Sequence, residues 1–433
     1  MATPELLVEV GLDLSAPGAP FFTFGSTDKP GENPQSQFAP NGEGDEYRFG
    51  GTLFYDLTDR VRSVTINRGK SRELDRFTTG SANITFTNQD RAFDPFYTAS
   101  PYYPDIRPRR SVRISTIVNG STAVQFTGII EDWNIDYDVS GRSDAFAACV
   151  DGFILFGGQQ LNFGTATSQK TGERLEAILD KPEVNWPSAL RDIDTGVQTL
   201  QGDVIEQGRE TLDYLQLVEA SEPGLLFMGK DNSVTFRDRS TAAYPGTVVF
   251  SDAGTAIPYT GVTVNYGTEL LFNRAVVSIL GAAPVTATNA ASQAEYGIAS
   301  IELNGLLMNN SASSTALAEF LVNKYADPEL RFDSLEVQLA GLGTADQAQV
   351  LGLELADIIR VEYEPLGISP SIVKDVQIIG IRHDARPASH VVSFALQSTD
   401  TAAFVFAGGT VTSGTAVAAL YPFSVFDSSP FGL

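Results

Sequence analysis

The sequence predicts a mainly β protein with an α+β insertion. Two similar β-barrel or sandwich domains are expected, separated by an inserted α+β module, with extended N- and C-terminal arms. Three observations carry this reading. Charged residues make up only 19% of the 433, while Phe numbers 27 and Gly 39, a balance that leans toward strands and turns. Short runs of alternating apolar and polar residues recur at close spacing, separated by turn dipeptides. A nearly identical strand and turn is also written twice, VTINRG from Val64 and VTVNYG from Val262, 198 positions apart (262 − 64).

Residues 1–58 read as an arm. LLVEVGLDL alternates as a strand, and the Pro-, Gly-, Ser- and Asn-rich stretch after it cannot bury a core of its own. Its Phe21, Phe22, Phe24 and Phe38 are apolar anchors for lying against the first domain or a neighbouring subunit. From 59 to 150 the pattern is β. SANITFTNQ puts Ala82, Ile84 and Phe86 on one face, and SVRISTIVNGSTAVQFTGII is a hairpin turning at Asn119-Gly120. A further strand pair turns around Ser140-Gly141.

From 151 to 258 the period changes. TGERLEAILD reads as a helix with Thr171 as N-cap and Leu175, Ile178 and Leu179 as its apolar stripe. GRETLDYLQLVEAS reads as a second helix with Thr211 near its start, and GLLFMGKDNSVTFRDR as a hairpin turning at Asp231-Asn232. The β pattern returns from 259 to 400, interrupted by one helix in SASSTALAEFLVNKYAD. Residues 401–433, rich in Gly, Ala and aromatics, read as the second arm.

The repeat extends beyond its first strand. Glu73-Leu74 parallels Glu269-Leu270, and Arg76 parallels Arg274. SVRIST parallels IIRVEY, and FTGIIEDW parallels IIGIRHDA with Gly128 matched to Gly380. Matches in the same order point to a duplication. Two similar units per chain allow a closed ring of three chains to present six (3 × 2), with edge strands paired across subunits.

A net charge of −24 argues against a binder of nucleic-acid backbones. It fits solubility through self-repulsion, or a surface that DNA passes without sticking. Cys149 is the single cysteine, which excludes a disulfide within the chain and points to maturation in a reducing cytoplasm. No secretion signal and no apolar run long enough to span a bilayer is visible in the sequence.

Candidate chemistry is sparse. Asn88, Asp90 and Asp94 could ligate calcium, or bond their own backbone in a strand-ending turn. His383 and His390 could form a zinc site with Asp384, or flank an ordinary hairpin turn. No nucleophile elbow, Walker loop or dinucleotide glycine pattern is present, and pairs such as Glu131-Asp132 carry no signal in so acidic a chain. No catalytic, cofactor-binding or metal residue is therefore expected. Two charged clusters are candidate inter-subunit contacts. One holds Arg68, Arg72, Glu73, Asp75 and Arg76; the other holds Arg107, Arg109, Arg110 and Arg113, for which a solvated loop is the alternative.

VTINRGKSRELDRFTTGSANITFTNQDRAFDP, followed by RPRRSVRI and FTGIIEDW, resembles minor tail proteins of long-tailed bacteriophages, especially those infecting actinobacteria. The doubled β domains with an α+β insertion resemble the trimeric baseplate hub of tailed phages and related injection machines. LLFMGKDNSVTFRDR and VFDSSPFGL resemble the family's inserted hairpin and short aromatic-Gly ending. The resemblance implies tail-tube-like β domains in a structural, non-enzymatic virion protein without cofactor. Such a protein is assembled in the host cytoplasm, and as a homotrimer at the tail tip it joins the sixfold tube to a threefold tip and lines the DNA channel. The implied partners are a distal tail ring or tail tube protein, a tape measure protein, and other minor tail and receptor-binding proteins. DNA passes through without specific binding.

Two alternatives stand beside it, a hexameric distal tail ring protein and a tip protein with cell-wall hydrolase or carbohydrate-binding activity. The chain departs from the family at Ala92, where Gly is frequent, and its second β domain matches less closely. Two expectations accompany the reading. Proteolysis of the free chain should trim 1–58 and 401–433 first, and losing Arg109 and Arg110 together should weaken ring docking more than folding.

Overall fold

The computed structural model describes residues 3–12, 54–139, 141–239, 248–254, 256–364 and 371–399. Most of both expected arms, including Phe21, Phe22, Phe24 and Phe38, lies outside the described residues, as does Ser140 of the second expected turn.

The first part of the chain contributes β1 (Glu5–Gly11), β2 (Phe54–Asp56), β3 (Val61–Gly69), β4 (Thr78–Thr87), β5 (Ser111–Val118), β6 (Ser121–Tyr137) and β7 (Ser143–Val150). The insertion follows with α1 (Phe153–Gly158), α2 (Thr171–Leu179), β8 (Arg191–Ile193), α3 (Thr211–Ala220), β9 (Leu225–Met228) and β10 (Val234–Arg237), besides several strands of two or three residues. The β pattern resumes with β11 (Val248–Ser251) and β12 (Gly261–Tyr266). It is interrupted by β13 (Arg274–Ile279), β14 (Val285–Thr288), α4 (Ala290–Tyr296), β15 (Ser300–Leu306) and α5 (Ser311–Tyr325). It ends with β16 (Leu330–Gln338), α6 (Thr344–Gly352), β17 (Ile358–Tyr363), β18 (Ile372–Arg386) and β19 (Ser389–Ser398).

One 13-stranded sheet carries both β halves. In the first half, alternation places Ala82, Ile84 and Phe86 in the core. The β5–β6 hairpin turns at Asn119 and Gly120, with φ of 51° and 77°, the left-handed pair that a two-residue turn between twisted strands requires. The strand expected inside the N-terminal arm belongs to this sheet. β1 pairs with β5 from Glu5↔Ile117 to Val10↔Val112, and Val8 and Val10 are fully buried. Removing those branched side chains from water holds the segment in place.

The halves have the same strand order. The first runs β3-β4-β7-β6-β5-β1, and the second runs β12-β16-β19-β18-β17-β11. Register repeats as well. Val64 faces Ile84, Ile84 faces Ala147, and Ala147 faces Trp133. In the second half Val262 faces Leu335, Leu335 faces Phe394, and Phe394 faces Ile381. The bulge in β6 between Ile130 and Asp132 recurs in β18 between Ile378 and Gly380. Before β5, Arg109 has φ 67° and its N–H donates to the Ile130 carbonyl at 2.7 Å. Before β17, Ala356 has φ 73° and its N–H donates to the Ile378 carbonyl at 2.8 Å. The halves also differ: β1 runs antiparallel to β5, whereas β11 runs parallel to β17, and the register shifts at Thr263/Val264 in β12–β16 and at Ile114/Ser115 in β5–β6 have no counterpart in the other half.

These ladders correct one detail of the repeat. Trp133 corresponds to Ile381, an offset of 248 (381 − 133), whereas matching Gly128 to Gly380 needs 252 (380 − 128). The two glycines clear different neighbours. A Cβ on Gly128 would lie 2.2 Å from the Val150 carbonyl oxygen, and one on Gly380 would lie 2.6 Å from that of Lys70. The halves join where β3 pairs antiparallel with β18, from Val64↔Ala385 to Gly69↔Gly380.

In the insertion, α2 and α3 start at Thr171 and Thr211. Neither threonine caps its helix. Their hydroxyls donate to the Gln198 and Gln159 carbonyls, both at 3.2 Å, and the Glu173 carboxylate instead accepts the Lys170 N–H at 2.8 Å. The β9–β10 hairpin forms as expected, with Asn232 at φ 68° in its turn. Insertion and second half share one core, in which Leu215, Phe227, Leu335 and Phe394 are buried. The first half packs its own around Ile84, Phe86, Phe93 and Ile130.

Two features differ from the sequence reading. β11, within the span assigned to the insertion, belongs to the second half's sheet, and that half contains α4 and α6 besides α5. Residues 271–305 and 310–327 form a unit of their own. In it the β14-β13-β15 sheet packs with α5, whose first turn is capped by Asn310 accepting the Ser313 N–H at 2.8 Å.

Candidate functional site

The NQDRAFD loop is a turn locked by its own polar groups. Buried Asn88 accepts the Phe93 N–H at 2.9 Å and donates to the Ser143 hydroxyl at 3.1 Å. Asp90 pairs with Arg60 at 2.9 Å, and the Arg60 guanidinium holds its carboxyl below the usual range. Asp94 pairs with Arg91 at 2.5 Å and accepts the Tyr137 hydroxyl at 2.9 Å; Arg91 likewise holds its carboxyl low. Its side chains thus face different partners, as Asx turns do. Arg91, with φ 58°, supplies the left-handed residue, so Ala92 needs no glycine and is fully buried.

The charged clusters divide into residues that hold the chain's own fold and residues at its surface. Arg68, on β3, is buried. It donates to the Glu354 carboxylate at 2.7 Å and the Met228 carbonyl at 2.9 Å, tying the first half to the hairpin and to the segment before β17. Arg113 forks onto Glu9 of β1 at 2.6 and 2.9 Å. Arg110 pairs with buried Asp105, so its loss should cost folding as well as any docking, contrary to the expectation for the Arg109–Arg110 pair. Arg72, Asp75, Arg76, Arg107 and Arg109 are exposed. Arg72 meets Glu269 at 3.2 Å, Arg76 donates to Gln216 at 3.3 Å, and Arg107 donates to the Pro104 carbonyl at 2.6 Å. Glu73 is half-buried, and its carbonyl accepts from Lys70 at 2.6 Å. Sequence reasoning missed Glu9 and Glu354 because each lies far along the chain from its arginine, and it passed over Asp105, five residues before Arg110, because nothing local showed which arginine that carboxylate would bind.

His383 and His390 face each other across β18 and β19, with His383 Nδ1 3.0 Å from His390 Nε2. Burial drives both toward the neutral form. His383 falls well below the ordinary imidazole range, helped by His390, Arg68 and Lys230, and His390 falls to about 4. Asp384 lies near Arg382 and Arg386, at 3.9 and 3.6 Å, and is not brought to the two rings as a third ligand. Among the described residues no three His, Cys, Asp or Glu side chains converge.

Two buried carboxyls are pushed up to about 7 by burial: Asp151 and Glu219. A carboxyl at that value can exchange protons near neutrality. Asp151, however, accepts the Gly80 and Phe153 N–H groups at 2.7 and 3.0 Å, and Glu219 accepts that of Leu226 at 2.9 Å. Both therefore hold backbone. A cavity of about 450 Å³ lies beside the β9–β10 hairpin, lined by Lys230, Ser233, Arg237, Glu354 and Asp357 among others. Its cations are engaged. Lys230 donates to the Gly352 carbonyl at 3.0 Å, and Arg237 forks onto Asp192, one branch at 2.9 Å.

No family model and no curated protein matches the sequence. Solved structures do match in shape. One is the 43 kDa tail protein of prophage MuSo2 from Shewanella oneidensis, with a TM-score of 0.54 and 13% identity over 80% of this chain and 94% of that one. Another is a tail protein from Neisseria meningitidis MC58, with a TM-score of 0.51 and 11% identity over 81% and 95%. The chain thus has the fold of solved tail proteins, across most of its length and nearly all of theirs.

Proposed function

We propose that the chain is a structural, non-enzymatic component of a phage tail, a homotrimeric hub at the tail tip. In this reading it joins the sixfold tube to a threefold tip and lines the DNA channel. The observation that carries the proposal is the repeated sheet. One chain supplies two halves with the same strand order, matching ladder pairs and a shared bulge in β6 and β18, so three chains offer six similar units (3 × 2) to a sixfold neighbour. The likeness in fold to solved tail proteins supports it. The net charge of −24 suits a channel through which DNA moves without being held. Exposed Arg72, Asp75, Arg76, Arg107 and Arg109 are the remaining candidates for contacts with a distal ring or tube protein. The tape measure protein and other minor tail and receptor-binding proteins complete the proposed neighbourhood. The site of action is the virion tail tip, after assembly in the host cytoplasm.

Copy number in purified particles tests this. Quantitative mass spectrometry should find three chains per tail; six would favour the distal ring, and absence from particles would overturn the proposal. A lytic band in a cell-wall zymogram would overturn its non-enzymatic part.

A further inference from the structure

β3 is paired on both edges, with β4 on one side and β18 on the other. Its counterpart β12 is paired with β16 on one edge and, among the described residues, with nothing on the other. β18 in turn meets β3 through residues 380–385, just past its bulge and beyond the end of β17. The counterpart stretch of β6, residues 132–137, likewise runs past its last bonds to Arg109 and Arg110. Among the described residues no strand lies along that side. The chain thus uses one pair of complementary edges internally and leaves an equivalent pair open.

We infer that β12 of one copy pairs antiparallel with residues 132–137 of β6 in a second copy, in the register of the β3–β18 joint. The inference rests on the doubled fold and deepens the trimer reading by naming the contact. In the internal joint Arg68 faces Ile381, Ile66 faces His383, and Val64 faces Ala385. Carried over by the ladder correspondence, Tyr266 faces Trp133, Val264 faces Ile135, and Val262 faces Tyr137. The residues between them support the register. Thr65 faces Asp384 within the chain, and Thr263 would face Asp136, the same two residue types. Asn67 accepts from Arg382 at 3.1 Å, and Asn265 would meet Asn134, whose amide can supply the same bond.

Burial supports the same contact. Arg68 and Ala385 are 7% and 3% exposed within the internal joint, whereas their counterparts Tyr266 and Tyr137 on the open edges are 69% and 52% exposed. Gly69 explains a further coincidence. A Cβ there would lie 2.3 Å from the Ile379 carbonyl oxygen, the bulge residue of β18. Gly267, directly after β12, is the matching residue, but its nearest neighbour within the chain is the Asn265 side chain at 3.3 Å. The room it leaves fits the corresponding bulge residue, Glu131, of the next copy. Unequal edges meeting in this way form a head-to-tail contact, which closes into a ring where the rotation between successive copies is a third of a turn.

Disulfide trapping in the full chain tests the register. In a Cys149→Ala background, Ile135→Cys with Val264→Cys should oxidise to covalent dimers and trimers. The pair shifted by two residues, Ile135→Cys with Val262→Cys, should give at most about a tenth as much, since diagonal neighbours stand too far apart for a disulfide. Hydrogen exchange on the unmodified chain is the second readout: the amides of 131–137 and 261–267 that point to the open edges, and not to β7 or β16, should slow about 100-fold on assembly. Oligomers that trap only the shifted pair, or leave these amides unprotected, would overturn the strand pairing while the trimer stands. A chain that stays monomeric at its solubility limit in native mass spectrometry would overturn both.

Discussion

β3 and β12 are one strand in two settings. Both read Val-Thr-apolar-Asn; β3 ends on Gly69, and β12 is followed directly by Gly267. β3 buries Val64, Ile66 and Arg68 because β18 lies against its second edge; β12 leaves Val262 and Val264 half-buried and Tyr266 exposed. The difference teaches that the burial of a strand here is set by its neighbour and not by its own residues. Under the proposed pairing it also separates positions that matter for folding from positions used in assembly.

Four measurements sharpen or break that comparison. The largest effect is expected at the paired glycines. Gly69→Ala forces a Cβ onto the Ile379 carbonyl at φ 96° and should cost about 4 kcal/mol in denaturant unfolding of the free chain. Gly267→Ala should cost under about 0.5 kcal/mol there. Equal losses would erase the distinction between the two settings.

Next come the central apolar residues. Ile66→Ala should destabilise the free chain by about 3 kcal/mol, and Val264→Ala by about 1 kcal/mol or less, read from the same unfolding curves.

A third measurement concerns acid. β18 carries His383 where β6 carries Ile135, and His390 packs against it. Both imidazoles are held neutral in the fold, so the unfolded chain binds more protons as pH falls below about 6.5. Stability contributed by the pair is complete above that value and is lost on acidification toward the folded-state values. His390, at about 4 when folded, should by itself lower stability by about 2 kcal/mol between pH 7 and pH 5. Buried Asp151 and Glu219, protonated up to about 7 when folded, work in the opposite direction and favour the fold at low pH. The double variant His383→Ile, His390→Leu should therefore show a shallower acid loss, or a gain. An unchanged pH profile would show that the pair does not titrate as its burial requires.

The smallest effect is expected at Arg72, whose pairing with Glu269 at 3.2 Å is exposed on both sides. Arg72→Ala should change stability by less than about 0.5 kcal/mol in a thermal melt.

Much of this fold was legible in local pattern. The alternation of β4, the Asn119-Gly120 turn, α2, α3 and α5 all follow from periods and turn chemistry that neighbouring residues settle among themselves. The sheet membership of β1 was not legible, because it depends on Val8 and Val10 finding β5 more than 100 residues away. α6 escaped notice because GTADQAQVLG carries a weak apolar stripe, with Val350 and Leu351 its buried apolar residues. The matching positive φ at Arg109 and Ala356 left no common residue type to read, since backbone bonds to Ile130 and Ile378 impose it. Of the charged clusters, the sequence showed the arginines but not which would be buried. Arg68 and Arg110 acquire their roles from Glu354 and Asp105.

By itself the amino-acid sequence determined the doubling of the chain, the strand and helix content of its parts and the polarity of each face. These rest on interactions within a few residues and on the period of the backbone. Only the tertiary structure decided which edges are joined within the chain and which stay open, which glycine is crowded and which has room, and which arginine is buried with its partner. Those outcomes depend on contacts between segments far apart along the chain, where nearly identical strands can end with different neighbours.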